Sequence, residues 1–167
     1  MPDFFSPKIV RIFLLGIASG FPWVLIGSVL TLWLQEAGIS RTEIGYAGAI
    51  FAVYSINFVW SPLLDRIEKP LPFCKGQRKS WILLSQLVMI VGCLFVSQLD
   101  AQAGVRLIVL GCLLIAFASA TQDIAIDGYR IDSIPEDNKQ QIAYASSAAI
   151  AGWHTAVSYT HLTLPTK

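Results

Sequence analysis

Asp123, Asp127 and Arg130 follow one another at steps of four and three residues. On a helix that spacing puts two carboxylates and a guanidinium on one face, about a turn apart. Their segment, VRLIVLGCLLIAFASATQDIAIDGYRIDSI at 105–134, opens with an apolar run about one bilayer thick. An ionised carboxylate in lipid costs at least about 2.5–3.5 kcal/mol, so a membrane helix keeps one only beside a partner, a cavity or a proton path. Two chemistries suit the pattern. One is proton carriage or solute contact by Asp123 or Asp127. The other is a latch of ion pairs, Asp127 with Arg130 or Arg66. The same face continues back through Ser119, Ala116 and Cys112, while Leu107, Leu110, Leu113, Leu114 and Phe117 cover much of the remainder. The small, polar stripe should therefore look into a bundle.

The elements that hold this stripe follow from composition. The chain has 167 residues, 54% hydrophobic and 14% charged, with a mean hydropathy of +0.60. Soluble domains carry about 25% charged residues. The apolar excess lies in blocks, and a membrane helix needs about 20 mainly apolar residues. Segments 12–34, 44–64, 81–97 and 105–126 qualify, and a fifth begins near 141 and runs to about 157. The expected class is an all-α, polytopic transmembrane helix bundle with no inserted soluble domain. Segment 12–34 exceeds the usual 7–15-residue core of a secretory signal, so a retained first span is expected.

Charge sets the expected orientation. Lys8, Arg11, Arg66, Lys69, Lys75, Arg78, Lys79, Arg130 and Lys139 fall on one side, against Arg41 and Arg106 on the other. Cytoplasmic loops carry the excess of Lys and Arg. The N-terminus and segments 65–80 and 128–140 are thus expected in the cytoplasm. A net charge of +1 argues for no nucleic-acid partner.

Further candidates lie around the acidic pair. Asp65 and Arg66 end the second span in WSPLLDR, and Gly76-Gln-Arg-Lys precedes the third. An acid at a helix end followed by Arg78 and Lys79 can bridge two helices as a gate. Tyr54, Asn57 and Gln122 are candidate cavity residues, with Ser55, Trp23 and Trp33 near them in the pattern. A buried Asn needs a hydrogen-bond partner, whether a neighbouring helix or a ligand. Trp33, near a span end, reads first as an interface anchor. Gly16 with Gly20, and Gly45 with Gly48, permit close helix approach within the bundle. Pro22 is expected to kink the first span. Cys74, Cys93 and Cys112 are odd in number and lack CxxC or Cys/His spacing, so neither a disulfide framework nor a metal site is expected. No nucleophile–base pair or phosphate loop appears, and neither enzymatic chemistry nor a cofactor is implied.

After Val157 the chain reads SYTHLTLPTK. A helix abandoned in mid-membrane would strand backbone polar groups, and the string resembles a translated adapter read-through. The expected organisation is a partial N-terminal transmembrane half at 1–157, about four and a half helices, with a non-native tail at 158–167.

The Asp65-Arg66 … Gln77-Arg78-Lys79 loop resembles a degenerate form of the signature loop of the major facilitator superfamily. Pro62 stands near the expected glycine, and an insertion separates Asp-Arg from the later basic residues. GIASGFPWVLIGSVLTLWL, WSPLLDR, the basic loop before Trp81 and SATQDIAIDGYRIDSIPED together resemble the AmpG-type muropeptide permeases and their acetyl-coenzyme-A-transporter-like relatives. The resemblance covers about residues 8–155. It implies the N-terminal part of a two-half fold of twelve or more helices with a central site, and hence a missing C-terminal half as partner. It implies import of anhydromuropeptides, sugar-peptide fragments of peptidoglycan, with protons across the bacterial inner membrane. Asp123 and Asp127 match the family's acidic pair, and Asp65 and Arg66 its gate loop. The same fold carrying another solute, such as a coenzyme-A thioester or a siderophore, stays open. So does a small membrane structural or interaction protein.

Overall fold

The computed structural model describes residues 6–67, 70–135 and 137–163, with backbone alone at 101–103 and 160–163. These residues are mainly helical, with no strand among them. Helix α1 (Pro7–Val24) starts where Ser6 accepts a hydrogen bond from the Ile9 amide and Pro7 presets the first helical φ. It passes through Pro22 and continues as a π-turn, Leu25–Val29, into α2 (Leu30–Glu36). Pro22 has no amide hydrogen, and the backbone widens one turn later, where the Leu30 amide reaches the Leu25 carbonyl.

The second span departs from expectation. Instead of one membrane helix over 44–64, the structure has α3 (Arg41–Gly48), α4 (Ala52–Ser55) and α5 (Ser61–Arg66), joined by 3₁₀ turns at Ala49–Phe51 and Asn57–Val59. Pro62 explains the second break: it offers no donor to the Phe58 carbonyl, and its ring crowds that oxygen. Among the described residues three helices are long and apolar enough to cross a membrane: Pro7–Glu36, Gln77–Ser97 and Gly104–Asp132.

Helix α6 (Gln77–Ser97) begins a turn before the expected Trp81, so Arg78 and Lys79 stand in its first turn. Helix α7 (Ala101–Asp132) is regular except at Gly104, and α8 (Lys139–Thr163) carries the fifth helix past Val157. The helix therefore extends into the stretch expected to be a foreign tail. The rest of that tail, and the side chains of 160–163, lie outside the described residues, as do Lys69 and Glu136.

Helices pair closely in two places. An added Cβ on Gly16 would run into the Ala149 carbonyl, and one on Gly152 into the Phe13 carbonyl, which locks α1 to α8. Likewise Gly92 faces Ile115 and Gly111 faces Val96, which brings α6 onto α7. Gly45 and Gly48, expected at a helix contact, meet nothing within 4 Å. The two glycines lie on the open side of α3, whose Ala47 is buried in the core instead. The main apolar core joins Ile26, Leu30 and Leu34 to Ile50, Met89, Ile108 and Ile115.

Candidate functional site

Helix α7 presents the stripe as its spacing requires. Cys112, Ala116 and Ser119 are buried, while Leu107, Leu110, Leu113, Leu114 and Phe117 are exposed. The broken second span is pinned to this helix by Trp60. Its indole N–H donates to Thr121 Oγ1 at 3.2 Å, and its ring lies 4.8 Å from that of Phe117. Between α5 and α7 opens a cleft of about 450 Å³ whose polar lining is Asn57, Ser61, Asp65, Arg78, Asp123 and Asp127. Five residues singled out from sequence thus share one cavity.

Arg78 organises the cleft rim. Its Nη1 lies 2.6 Å from Asp65 Oδ1, and its Nε donates to Asp132 Oδ2 at 3.2 Å. One guanidinium so ties the end of α5 to the end of α7. Gly128 makes room for it: a Cβ there would stand 2.6 Å from Arg78 Nε and 2.7 Å from Cζ. Gln77 braces the same corner, its amide nitrogen within 2.9–3.1 Å of the Leu64, Asp65 and Ile67 carbonyls. These are terminal carbonyls that a helix leaves unpaired. Asp132 and Gly128 escaped the sequence reading, and Gln77 entered it only as part of the basic loop. The DGYRID string held a signal for the first two, because 128 and 132 lie a turn apart on one helix face.

The two acids of the stripe differ. Asp127 is exposed and pairs with Arg130 at 3.1 Å, not with Arg66. Arg130 also donates to Ser146 Oγ at 3.2 Å, reaching α8. Asp123 is half-buried and accepts from the Ser19 hydroxyl at 2.6 Å, a link from α7 to α1. It lies nine residues before Asp132, roughly 13 Å at the helical rise of 1.5 Å per residue. Among the described residues no ion pair includes Asp123.

Gln122, Ser119 and Tyr54 lie behind the cleft rather than in its lining. Gln122 is fully buried with neither amide atom hydrogen-bonded, and each such group costs about 1–3 kcal/mol until something polar reaches it. The Tyr54 hydroxyl lies beside that of Ser119. Arg66 and Lys79 stand apart from the cleft. Neither lines it, and each is turned about 100° around its helix from the neighbour, Asp65 or Arg78, that does. Lys79 lines a different groove with Arg11 and Tyr129. No metal-binding group of three His, Cys, Asp or Glu occurs among the described residues.

Lys8 donates to the Ser133 carbonyl at 3.4 Å. With the Arg78 bridge, this gathers the N-terminus, the α5–α6 connection and the α7–α8 connection at one end of the bundle.

The family model described as Major Facilitator Superfamily matches residues 12–158. The chain is 31% identical over 136 residues to the anhydromuropeptide permease of Escherichia coli K12, covering 81% of this chain and 27% of that protein. It is 32% identical over 153 residues to a Rickettsia felis protein named "Putative transporter AmpG 4", covering 92% and 36%. The chain thus spans about a third of the length of these curated relatives. Long apolar helices, a polar cleft between them and a family match over most of the sequence agree: the chain belongs to the major facilitator superfamily of membrane transporters.

Proposed function

We propose that this chain is the N-terminal part of a proton-coupled importer of anhydromuropeptides in the bacterial inner membrane, its N-terminus in the cytoplasm. The observation that carries the coupling role is charge balance in the cleft. Asp65 is held by Arg78 and Asp127 by Arg130, while Asp123 has only the neutral Ser19 hydroxyl. A carboxylate without a cation, half-buried in a membrane helix, takes a proton at the least cost in charge. Asp127 with Arg130, and Asp65 with Arg78, then form the latch at the cleft mouth. The names of the two relatives support the solute, and the nine-to-two split of basic residues supports the orientation.

The test uses the full-length protein carrying these helices, in cells that lack their own anhydromuropeptide permease. Asp123→Asn should abolish proton-driven accumulation of labelled anhydromuropeptide yet leave exchange between equal pools intact, because exchange need not load and release a proton. Asp127→Asn should leave proton-driven uptake measurable. Unchanged uphill uptake in an Asp123→Asn protein that reaches the membrane would refute the coupling role. No uptake by the unmodified protein would refute the solute.

A further inference from the structure

Arg78 is tied to Asp65 and Asp132, but the next residue, Lys79, turns to another flank of α6. There it shares a groove of about 460 Å³ with Arg11 of α1. The two cations come from different helices, one in the second turn of α1 and one in the first turn of α6. Both are exposed. Among the described residues neither has an ion-pair or hydrogen-bond partner. No carboxylate lines the groove.

Below the cations the groove turns apolar. Helices α1 and α6 start at the same end of the bundle, and the walls run seven residues along each, from Arg11 to Ala18 and from Lys79 to Gln86. That is roughly 10 Å at the helical rise of 1.5 Å per residue. Leu14, Ala18 and Leu83 line the walls, and Leu14 stays 57% exposed. Helix α7 closes the floor, where Ala125 and Ile126 form a core with Ile82 and both Leu15 and Tyr129 pack against it. A bias of basic residues toward the cytoplasm accounts for cations at this end of the bundle. It does not account for two of them converging on one cavity with apolar walls.

We infer that the α1–α6 groove binds an anionic phospholipid of the leaflet on the N-terminal side, its phosphate between Arg11 and Lys79 and its upper acyl chain against Leu14, Ala18 and Leu83. Two cations with no acid beside them match a net negative headgroup. A zwitterionic lipid would bring an ammonium for which the groove has no carboxylate. Basic pockets between membrane helices are established seats for such headgroups. A further protein helix fits less well, because the volume holds about one helical turn and the walls end far short of a span. This inference goes beyond the transport reading and rests on neither the solute nor Asp123.

The probe is palmitoyl-oleoyl-phosphatidylglycerol, with the matching phosphatidylcholine for comparison. Full-length protein carrying these helices, stripped of lipid in detergent, is titrated with each and followed by native mass spectrometry. The first phosphatidylglycerol should bind about tenfold more tightly than the first phosphatidylcholine. Arg11→Gln combined with Lys79→Gln should bring the two lipids within about twofold of each other. Arg11→Lys combined with Lys79→Arg should keep the preference, and so should Arg41→Gln, which removes a cation from another part of the molecule. Equal affinities in the unmodified protein would overturn the site. So would a preference that survives the double glutamine variant, or one that falls as far in Arg41→Gln. A second readout identifies the occupant. Benzoylphenylalanine in place of Leu83, photoactivated in phosphatidylglycerol vesicles, should add the mass of one phospholipid. Crosslinking to another stretch of the protein's own chain would overturn the lipid and assign the groove to a further helix. Glycerol 1-phosphate, which carries the phosphate without acyl chains, should not displace the lipid; displacement at equal concentration would overturn the lipid in favour of a soluble phosphate.

Discussion

Replacing Arg78 by Gln should loosen the cleft mouth by an amount the geometry bounds. The guanidinium is 22% exposed and meets two carboxylates that are each 58% exposed, at 2.6 and 3.2 Å. Exposed ion pairs contribute about 0.2–1 kcal/mol each. The more enclosed arginine places this pair of bridges toward the upper end, and its loss leaves Asp65 and Asp132 facing one another without a cation. The sum is about 1–2 kcal/mol, a factor of 5–30 in a folded-to-unfolded ratio. Because one cation serves both acids, the losses should not add. Asp65→Asn and Asp132→Asn should each cost about 0.5–1 kcal/mol, and with both in place Arg78→Gln should cost little more. The measurement is unfolding of the full-length protein in mixed micelles by increasing SDS, followed by tryptophan fluorescence, over the whole double-mutant cycle. Strictly additive costs, or an Arg78→Gln protein within about 0.3 kcal/mol of the unmodified one, would refute the shared bridge.

Gly128→Leu should displace the same guanidinium, at about 1–3 kcal/mol for overpacking, and most of that cost should vanish when Arg78→Gln is already present. Gly152→Leu should sharply lower the yield of monodisperse protein, because even a Cβ there meets the Phe13 carbonyl. By contrast, Gly45→Ala and Gly48→Ala should be neutral or stabilising by up to about 1 kcal/mol in the same SDS titration. Membrane-impermeant maleimide should label Cys74 in inverted vesicles and not in intact spheroplasts; the reverse pattern would invert the orientation.

The stripe on α7 was legible because spacing alone decides which residues share a helix face, and the price of charge in lipid decides which way that face looks. The second span was not. Its apolar count over 44–64 is that of a membrane helix, while the break depends on where Pro62 withdraws one donor among polar Asn57 and Ser61. Asp65 and Arg78 were read as a gate, but their third member, Asp132, lies 54 residues from Arg78, and only tertiary packing brings it there. Gly128 carried no role in the sequence; its meaning is the guanidinium seated over it.

The interlock of α1 with α8 has a consequence for biogenesis. The faces that meet at Gly16 and Gly152 are synthesised about 130 residues apart. At about 5–20 residues per second, the first helix leaves the ribosome on the order of ten seconds before its partner exists. The α6–α7 hairpin, consecutive in the chain, can zip together as it emerges. During that wait the glycine-lined groove of α1 has no partner backbone, and until α7 follows its Ser19 hydroxyl has no carboxylate to donate to, in a bilayer that supplies neither. The insertion machinery must therefore shelter α1 until α8 arrives, and slowing translation between 100 and 140 should expose the nascent chain to quality-control proteolysis more than the same pause placed after 163.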